Sequence, residues 1–308
     1  MKISIIGAGN VGSLTAMRIA AEFSGEIVLV DIAKGLAQGK ALDLSDAQAI
    51  IKADYNIIGS EDLEEIKDSG LVVITAGLTR KPGMLREELL AKNYAIVREC
   101  CLAIKHLAPK SVVIVVTNPL DLMTYVAFKA LGNPREKVLG MGVTLDSARF
   151  ANLIAQELNI PVTEIEAPVI GVHGEGMLPL ERFTIIKGLP LEQFLDEKKI
   201  KELVIKTIGR GGEIVSLLGS GSAFFAPSAA VAAMARAIIK NELRVLGISA
   251  YLQGEYGVND VCLGVPCRLG KDGIEQIIEL DLAQEEKDIF IKAAHSIKEQ
   301  INKLCHTT

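Results

Sequence analysis

The chain has 308 residues, of which 49% are hydrophobic and 23% charged, and a formal net charge of −5. Its length exceeds the usual single domain and predicts two domains sharing an interface, while the composition excludes a disordered chain. The negative balance excludes a general attraction to nucleic acid or to an acidic membrane, so an anion site must gather positive charge locally.

From the N-terminus, MKISIIG reads as a buried strand over residues 3–6, too short for the apolar core of a secretory leader. It runs into GAGNVG and a helix predicted over residues 11–22, which sets Gly7, Gly9 and Gly12 in G-x-G-x-x-G register. The first glycine permits the tight turn, the second lets backbone approach a pyrophosphate, and the third allows close helix–strand packing. Three glycines at a strand end can also form nothing more than a turn. The next strand, residues 27–30, decides between these readings because it ends at Asp31. A carboxylate there accepts hydrogen bonds from the adenosine ribose and repels a 2′-phosphate, which favours NAD over NADP, with Lys34 nearby opposing that preference.

A helix over residues 34–48 and strands over 55–58 and 71–75 follow. Residues 77–86, GLTRKPGMLR, form a basic loop leading into a helix over 85–106. A solvated turn is the plain reading of such a loop. Its place at the carboxyl end of a strand, where open parallel sheets bind ligands, favours a lid that carries charge to a substrate. Strand 112–117, helix 120–130 and strand 138–139 complete the first half. The continuous apolar run VVIVV predicts a strand buried on both faces, and the strand–helix alternation predicts an α/β, doubly wound parallel sheet of Rossmann type.

After about residue 145 the pattern changes to helices over 147–158, 197–217, 228–239 and 283–303, with strands over 165–172, 183–187, 244–252 and 260–269. These predict a C-terminal α+β domain with a more twisted, partly antiparallel sheet. The division is therefore residues 1–143 for the dinucleotide and 144–308 for substrate. The most apolar stretch, residues 223–235, contains Pro227 and ends at Arg236, short of the roughly 20 residues needed to cross a bilayer. Cys100, Cys101, Cys262, Cys267 and Cys305 show no CxxC pair and no metal-type spacing with histidine, and read as thiols in a reducing cytoplasm.

Two short segments in this half carry reactive groups. GVHGE places His173 just after a strand, between Gly171 and Gly174, which suggests backbone crowded against a ligand. DSAR places Asp146 and Arg149 on one face of a helix start. In isolation that pair is a surface ion bridge. Combined with His173, Asp146 would fix the imidazole tautomer and Arg149 would grip a carboxylate through its two-pronged donor geometry.

The segments GAGNVG, VDI, TAGLTRKPGMLREELLAKN, VVTNPLD, GMGVTLDSARF, GVHGEGMLPL and YLQGEYGVNDVCLGVPC follow one another nearly end to end. In that order they resemble the lactate/malate dehydrogenase superfamily, and within it the lactate-dehydrogenase-like malate dehydrogenases. The resemblance implies that His173 exchanges the proton with Asp146 as its partner. Arg149 would bind the carboxylate beside the reacting carbon, Arg86 would polarise the carbonyl, and Asn118 would contact substrate and the nicotinamide side. It further implies that Gly7, Gly9, Asn10, Val11, Gly12, Asp31, Thr75, Ala76, Gly77, Asn93, Val116 and Asn118 line the cofactor.

Arg80 stands where lactate-type members usually carry Gln and malate-type members Arg, and Ala223 where lactate-type members tend to carry a larger Thr. The implied activity is reversible oxidation of (S)-malate by NAD, in a homodimer or homotetramer, with a small dicarboxylate as the partner. The alternatives are the same chemistry on lactate and pyruvate, or an NAD-binding protein without catalysis. One departure is Glu175, where the family usually carries Asp.

Overall fold

The computed structural model describes residues 1–78 and 86–307. Its first half alternates β1 (Lys2–Ile6), α1 (Asn10–Ala20), β2 (Glu26–Val30), α2 (Leu36–Ile51), β3 (Asn56–Ser60), β4 (Leu71–Ile74), α3 (Arg86–Leu107), β5 (Val112–Val115), α4 (Leu120–Leu131) and β6 (Val138–Gly140). These strands lie in the order β3-β2-β1-β4-β5-β6 and pair in parallel. Every residue of β4 and β5 is buried, as expected for apolar strands covered by helices on both faces. The chain winds outward in opposite directions from β1, so a crevice opens at the carboxyl ends of β1 and β4. At that crevice the glycine loop after β1 meets Thr75 and Ala76 after β4, and Thr117 after β5 bonds to Ala76.

The second half contains α5 (Val143–Leu158), β7 (Ile165–Glu166), β8 (Val169–Gly171), β9 (Met177–Pro179), β10 (Ile185–Ile186), β11 (Leu189–Pro190), α6 (Glu197–Leu218), α7 (Phe225–Ile239), β12 (Arg244–Gln253), β13 (Asn259–Gly270), β14 (Gly273–Ile277) and α8 (Gln284–Thr307). The partly antiparallel strands expected here continue the first sheet. β12 pairs antiparallel with β6 through Ser249 and Gly140, β13 pairs with β12, and β8, β9 and β14 extend from there. The result is one 11-stranded sheet, parallel at one end and antiparallel at the other, plus a 3-stranded sheet of β11, β10 and β7.

The strand expected over residues 165–172 is broken at Pro168, which has no N–H for a ladder; β7 joins the small sheet and β8 the large one. Helix α7 begins at Phe225 and holds Pro227 in its first turn, where the missing N–H has no helical partner to lose. Its Pro227, Val231, Met234, Ala235 and Ile238 are buried within this chain.

The main core runs through both halves, and a smaller cluster of Val143, Phe150, Ile154, Ile165, Ile186 and Leu203 supports α5 from below. Cys100, Cys101, Cys262 and Cys267 are buried free thiols, while the side chain of Cys305 lies outside the described residues. Among the described residues no helix is long and apolar enough to cross a membrane.

Candidate active site

The glycine loop after β1 is shaped by exclusion. Gly7 has φ +108°, and a Cβ there would lie 2.6 Å from the Ala76 nitrogen and the Thr75 hydroxyl. A Cβ on Gly12 would overlap the Gly7 carbonyl oxygen, so α1 seats against the loop only because both positions are glycine. Gly9 faces open space and caps α1 with no side-chain acceptor. The first amides of α1, at exposed Asn10 and half-buried Val11, therefore meet the crevice with the positive end of the helix dipole. A pyrophosphate fits this cradle.

Asp31, directly after β2, accepts from the Ala8 amide at 2.6 Å and the Ala33 amide at 2.9 Å. Lys40 on α2 donates to the Ala8 carbonyl at 2.6 Å and the Ser13 hydroxyl at 2.8 Å. The loop peptide is thus held on its N–H side by an anion and on its carbonyl side by a cation. Sequence reasoning missed Lys40, whose only signal was a lone cation near the start of a helix.

The walls of the crevice are tied to one another. Thr75 donates its hydroxyl to the Gly7 carbonyl at 2.9 Å, and Thr117 donates to the Ala76 carbonyl at 2.6 Å. Asn93 is fully buried, and its amide is committed to backbone: it accepts from Leu78 N–H at 2.8 Å and donates to Leu78 and Asn118 carbonyls. Val116 is buried as well. Asn93 and Val116 therefore shape the loops from behind, whereas Gly77 and Asn118 are exposed on the crevice side. The Asn118–Pro119 peptide is cis.

At the other wall, α5 begins at Val143, earlier than expected, so Asp146 sits in its first turn and Arg149 follows on the same face. Asp146 is completely buried; Oδ2 lies 2.7 Å from His173 Nδ1, and Oδ1 accepts from Arg149 Nη1 at 3.0 Å. A carboxylate can only accept, so Nδ1 carries the hydrogen and Nε2 remains free for chemistry. His173 and Arg149 are 14% and 12% exposed, open enough for a small ligand and little else. Arg149 Nε is buried with no partner among the described residues, an unsatisfied donor beside the imidazole.

Gly142, next to α5, completes the close approach, because a Cβ there would lie 3.1 Å from that of His173. Burial opposes a charged imidazole at His173, but Asp146, through its charge and hydrogen bond, and more weakly Asp121 outweigh it, so the net direction is upward from 6.5.

Asp121 contacts the His173 main chain and was missed by motif reading. It lies 3% exposed on α4 within the buried run 120–127, and accepts from the backbone N–H of His173 at 2.8 Å and from Ser249 Oγ at 2.6 Å. The available signal was a carboxylate embedded in the apolar stretch LDLMTYVA.

Ala223 is half-buried in the link between α6 and α7. Arg80, and the side chain of Arg86, lie outside the described residues. Glu175 is exposed between Gly174 and Gly176, both at positive φ, so its extra methylene meets solvent.

Residues 1–140 match the family model described as lactate/malate dehydrogenase, NAD binding domain, and residues 143–308 match that of the alpha/beta C-terminal domain. A malate dehydrogenase from Methanosarcina mazei is 51% identical over 304 residues, covering 99% of each chain. Among solved structures, a malate dehydrogenase from Cryptosporidium parvum superposes with TM-score 0.96 at 41% identity, covering 99% of both chains. A lactate dehydrogenase from Eimeria maxima, solved with NADH and oxamate, gives TM-score 0.95 at 38% identity, covering 99% of this chain and 94% of that one.

Proposed function

The chain belongs to the lactate/malate dehydrogenase family, and from that premise we propose how its residues carry out the NAD-dependent oxidation of (S)-malate to oxaloacetate and its reverse. The observation that carries the reading is the buried Asp146 carboxylate shared by His173 Nδ1 and Arg149 Nη1. When bound, NAD supplies the hydride acceptor, and in its reduced form the donor.

In the oxidative direction, neutral His173 takes the substrate hydroxyl proton at Nε2 while Asp146 holds Nδ1–H and stabilises the cation that forms. In the reductive direction, protonated His173 returns that proton to the carbonyl oxygen. The unsatisfied Nε of Arg149 supports its role in gripping the carboxylate next to the reacting carbon. Arg86 polarises the carbonyl, Asn118 contacts substrate and nicotinamide, and Ala223 leaves room for the distal carboxylate, which Arg80 pairs. Asp31 takes the ribose hydroxyls, and the glycine loop with Asn10 and Val11 takes the pyrophosphate.

Several further assignments belong to this reading. Residues 1–143 serve the dinucleotide and 144–308 the substrate. The enzyme works in the cytoplasm, which the buried free thiols support. It assembles as a homodimer or homotetramer through faces bearing exposed Leu42, Ile50 and Ile51 on α2 and Ile205 and Leu217 on α6.

NADH oxidation measured with oxaloacetate and with pyruvate, and with NADPH as control, tests the reading. An unpaired Arg80 guanidinium in a closed site would penalise pyruvate by several kcal/mol, so a preference for oxaloacetate of about a thousandfold is expected. Comparable turnover of pyruvate would overturn it.

A further inference from the structure

Two carboxylates face His173, and only one of them has a role in the reaction as described so far. Asp146 holds the ring. Asp121 stands behind the main chain, ionisable and buried among apolar side chains, with no cationic side chain paired to it among the described residues. A carboxylate in that setting loses hydration and regains it only through specific donors. Its two donors come from different parts of the sheet. The His173 amide belongs to the loop after β8, and Ser249 Oγ, itself fully buried, comes from β12. Asp121 itself is carried by α4 of the parallel half. The three residues therefore tie the two halves of the molecule together at the proton-transfer site.

We infer that Asp121 is a positioning residue for proton transfer: its carboxylate fixes the His173 main chain and supports the imidazolium, and Ser249 keeps that carboxylate ionised. The inference rests on His173 being the proton carrier.

The surrounding charges make the direction of the effect definite. His173 faces Asp146 and Arg149 from α5 and Asp121 from α4; the two anions favour its proton and the guanidinium opposes it. Asp121 faces Ser249 on β12, the Cys262 thiol on β13, Asp146, and His173. Burial lifts Asp121 to about 6, against the pull of the Ser249 hydroxyl, the His173 amide and the His173 ring. Loss of the Ser249 bond would therefore lift it further and shift it towards the neutral form. Loss of the Asp121 charge, by either route, removes one of the two anions that hold the proton on His173.

Asp121→Asn is nearly isosteric and keeps an acceptor for the His173 amide, while its NH2 group can donate to a reversed Ser249 hydroxyl. Ser249→Ala leaves the carboxylate in place and deletes only the donor. Histidine-ring NMR titration of the intact enzyme reads the result directly, with the His173 signal identified by its loss in His173→Asn.

The expected outcome is a His173 pKa lower by about one pH unit in D121N and lower by less in S249A. The alkaline limb of oxaloacetate reduction, where the imidazolium is lost, should move to lower pH by the same amounts. A purely structural Asp121 would change the rate without moving the titration. An unmoved His173 titration in folded D121N and S249A overturns the inference, and S249A alone decides should D121N fail to fold. If wild-type enzyme shows no His173-dependent limb at all, the assignment of the proton carrier fails and this inference falls with it. A limb that is present but unmoved sinks this inference alone.

Discussion

His173 is placed by contacts on three sides: Asp146 at the ring, Asp121 at the main chain, and the missing Cβ of Gly142 against its own Cβ. Replacing the ring with Asn should lower kcat by about 100-fold to 10,000-fold, the usual range for a lost general acid–base, with the NADH dissociation constant unchanged by fluorescence titration. Arg149→Met acts on both substrate and proton. Removing a charge-assisted carboxylate contact should raise KM for oxaloacetate about 10- to 100-fold. Because Arg149 opposes the proton on His173, its removal should also move the His173 pKa upward.

Asp121 carries a stability consequence. Its folded pKa of about 6 lies above the 3.8 of the free group, so the folded chain holds that proton more tightly than the unfolded one. The associated stability is fully present below pH 3.8 and is lost as pH rises through about 6. The difference of about 2 pH units corresponds to at most about 3 kcal/mol. D121N should therefore melt higher than wild type at pH 8 and no higher at pH 4, by calorimetry, even as it weakens the imidazolium. A lower Tm at pH 8 would mean that the carboxylate is stabilising.

Elements deliver these side chains with different degrees of legibility in the sequence. The glycine loop and β2 leading into Asp31 were readable because glycine spacing and apolar runs are local signals, whereas the strand before His173 was read as one and is broken at Pro168. The start of α5 was not readable, because Val143 and Thr144 are β-branched, a weak helix signal, and the preceding Gly142 opens a helix that no side chain caps. Asp121 escaped because helical periodicity identifies an apolar face and says nothing about what opposes it; its partners come from β12 and the loop after β8.

Lys40 on α2 was equally hidden, since its target is a loop carbonyl far away in the chain. With its ammonium bound to Ala8 and Ser13, Lys40 pins the glycine loop beside the pyrophosphate cradle. Lys40→Met should weaken NADH binding about tenfold, measured by fluorescence titration, through the loss of a charged hydrogen bond. Gly12→Ala should be far more severe. The added methyl would strike the Gly7 carbonyl, so NADH binding should be lost along with part of the stability.

At the scale of the whole molecule, the continuous sheet explains why a proton site and a cofactor site can share one crevice. β6 pairs with β12, and β12 with β13, so movement of the His173 loop is constrained by the same sheet that positions the glycine loop. Antiparallel pairing between distant strands leaves no local mark, so the continuity of the sheet from β6 to β12 was not legible in the sequence. The inward-facing α7 shows the same limit: its apolar residues are buried in this chain's own core, whereas apolar residues on α2 and α6 are exposed. Ile50→Asp together with Leu217→Asp should shift the light-scattering mass towards a single chain, whereas an unchanged mass would exclude those faces from the interface.

The most direct test of proton transfer through His173 is the pH dependence of kcat/KM for malate oxidation and oxaloacetate reduction, followed in wild type and in His173→Asn. Oxidation should rise and reduction fall through one shared pKa above the ordinary 6.5, since the same ring must be neutral for the first and charged for the second. That limb should vanish in the variant. Limbs that titrate independently, or that survive the loss of the imidazole, would contradict the account.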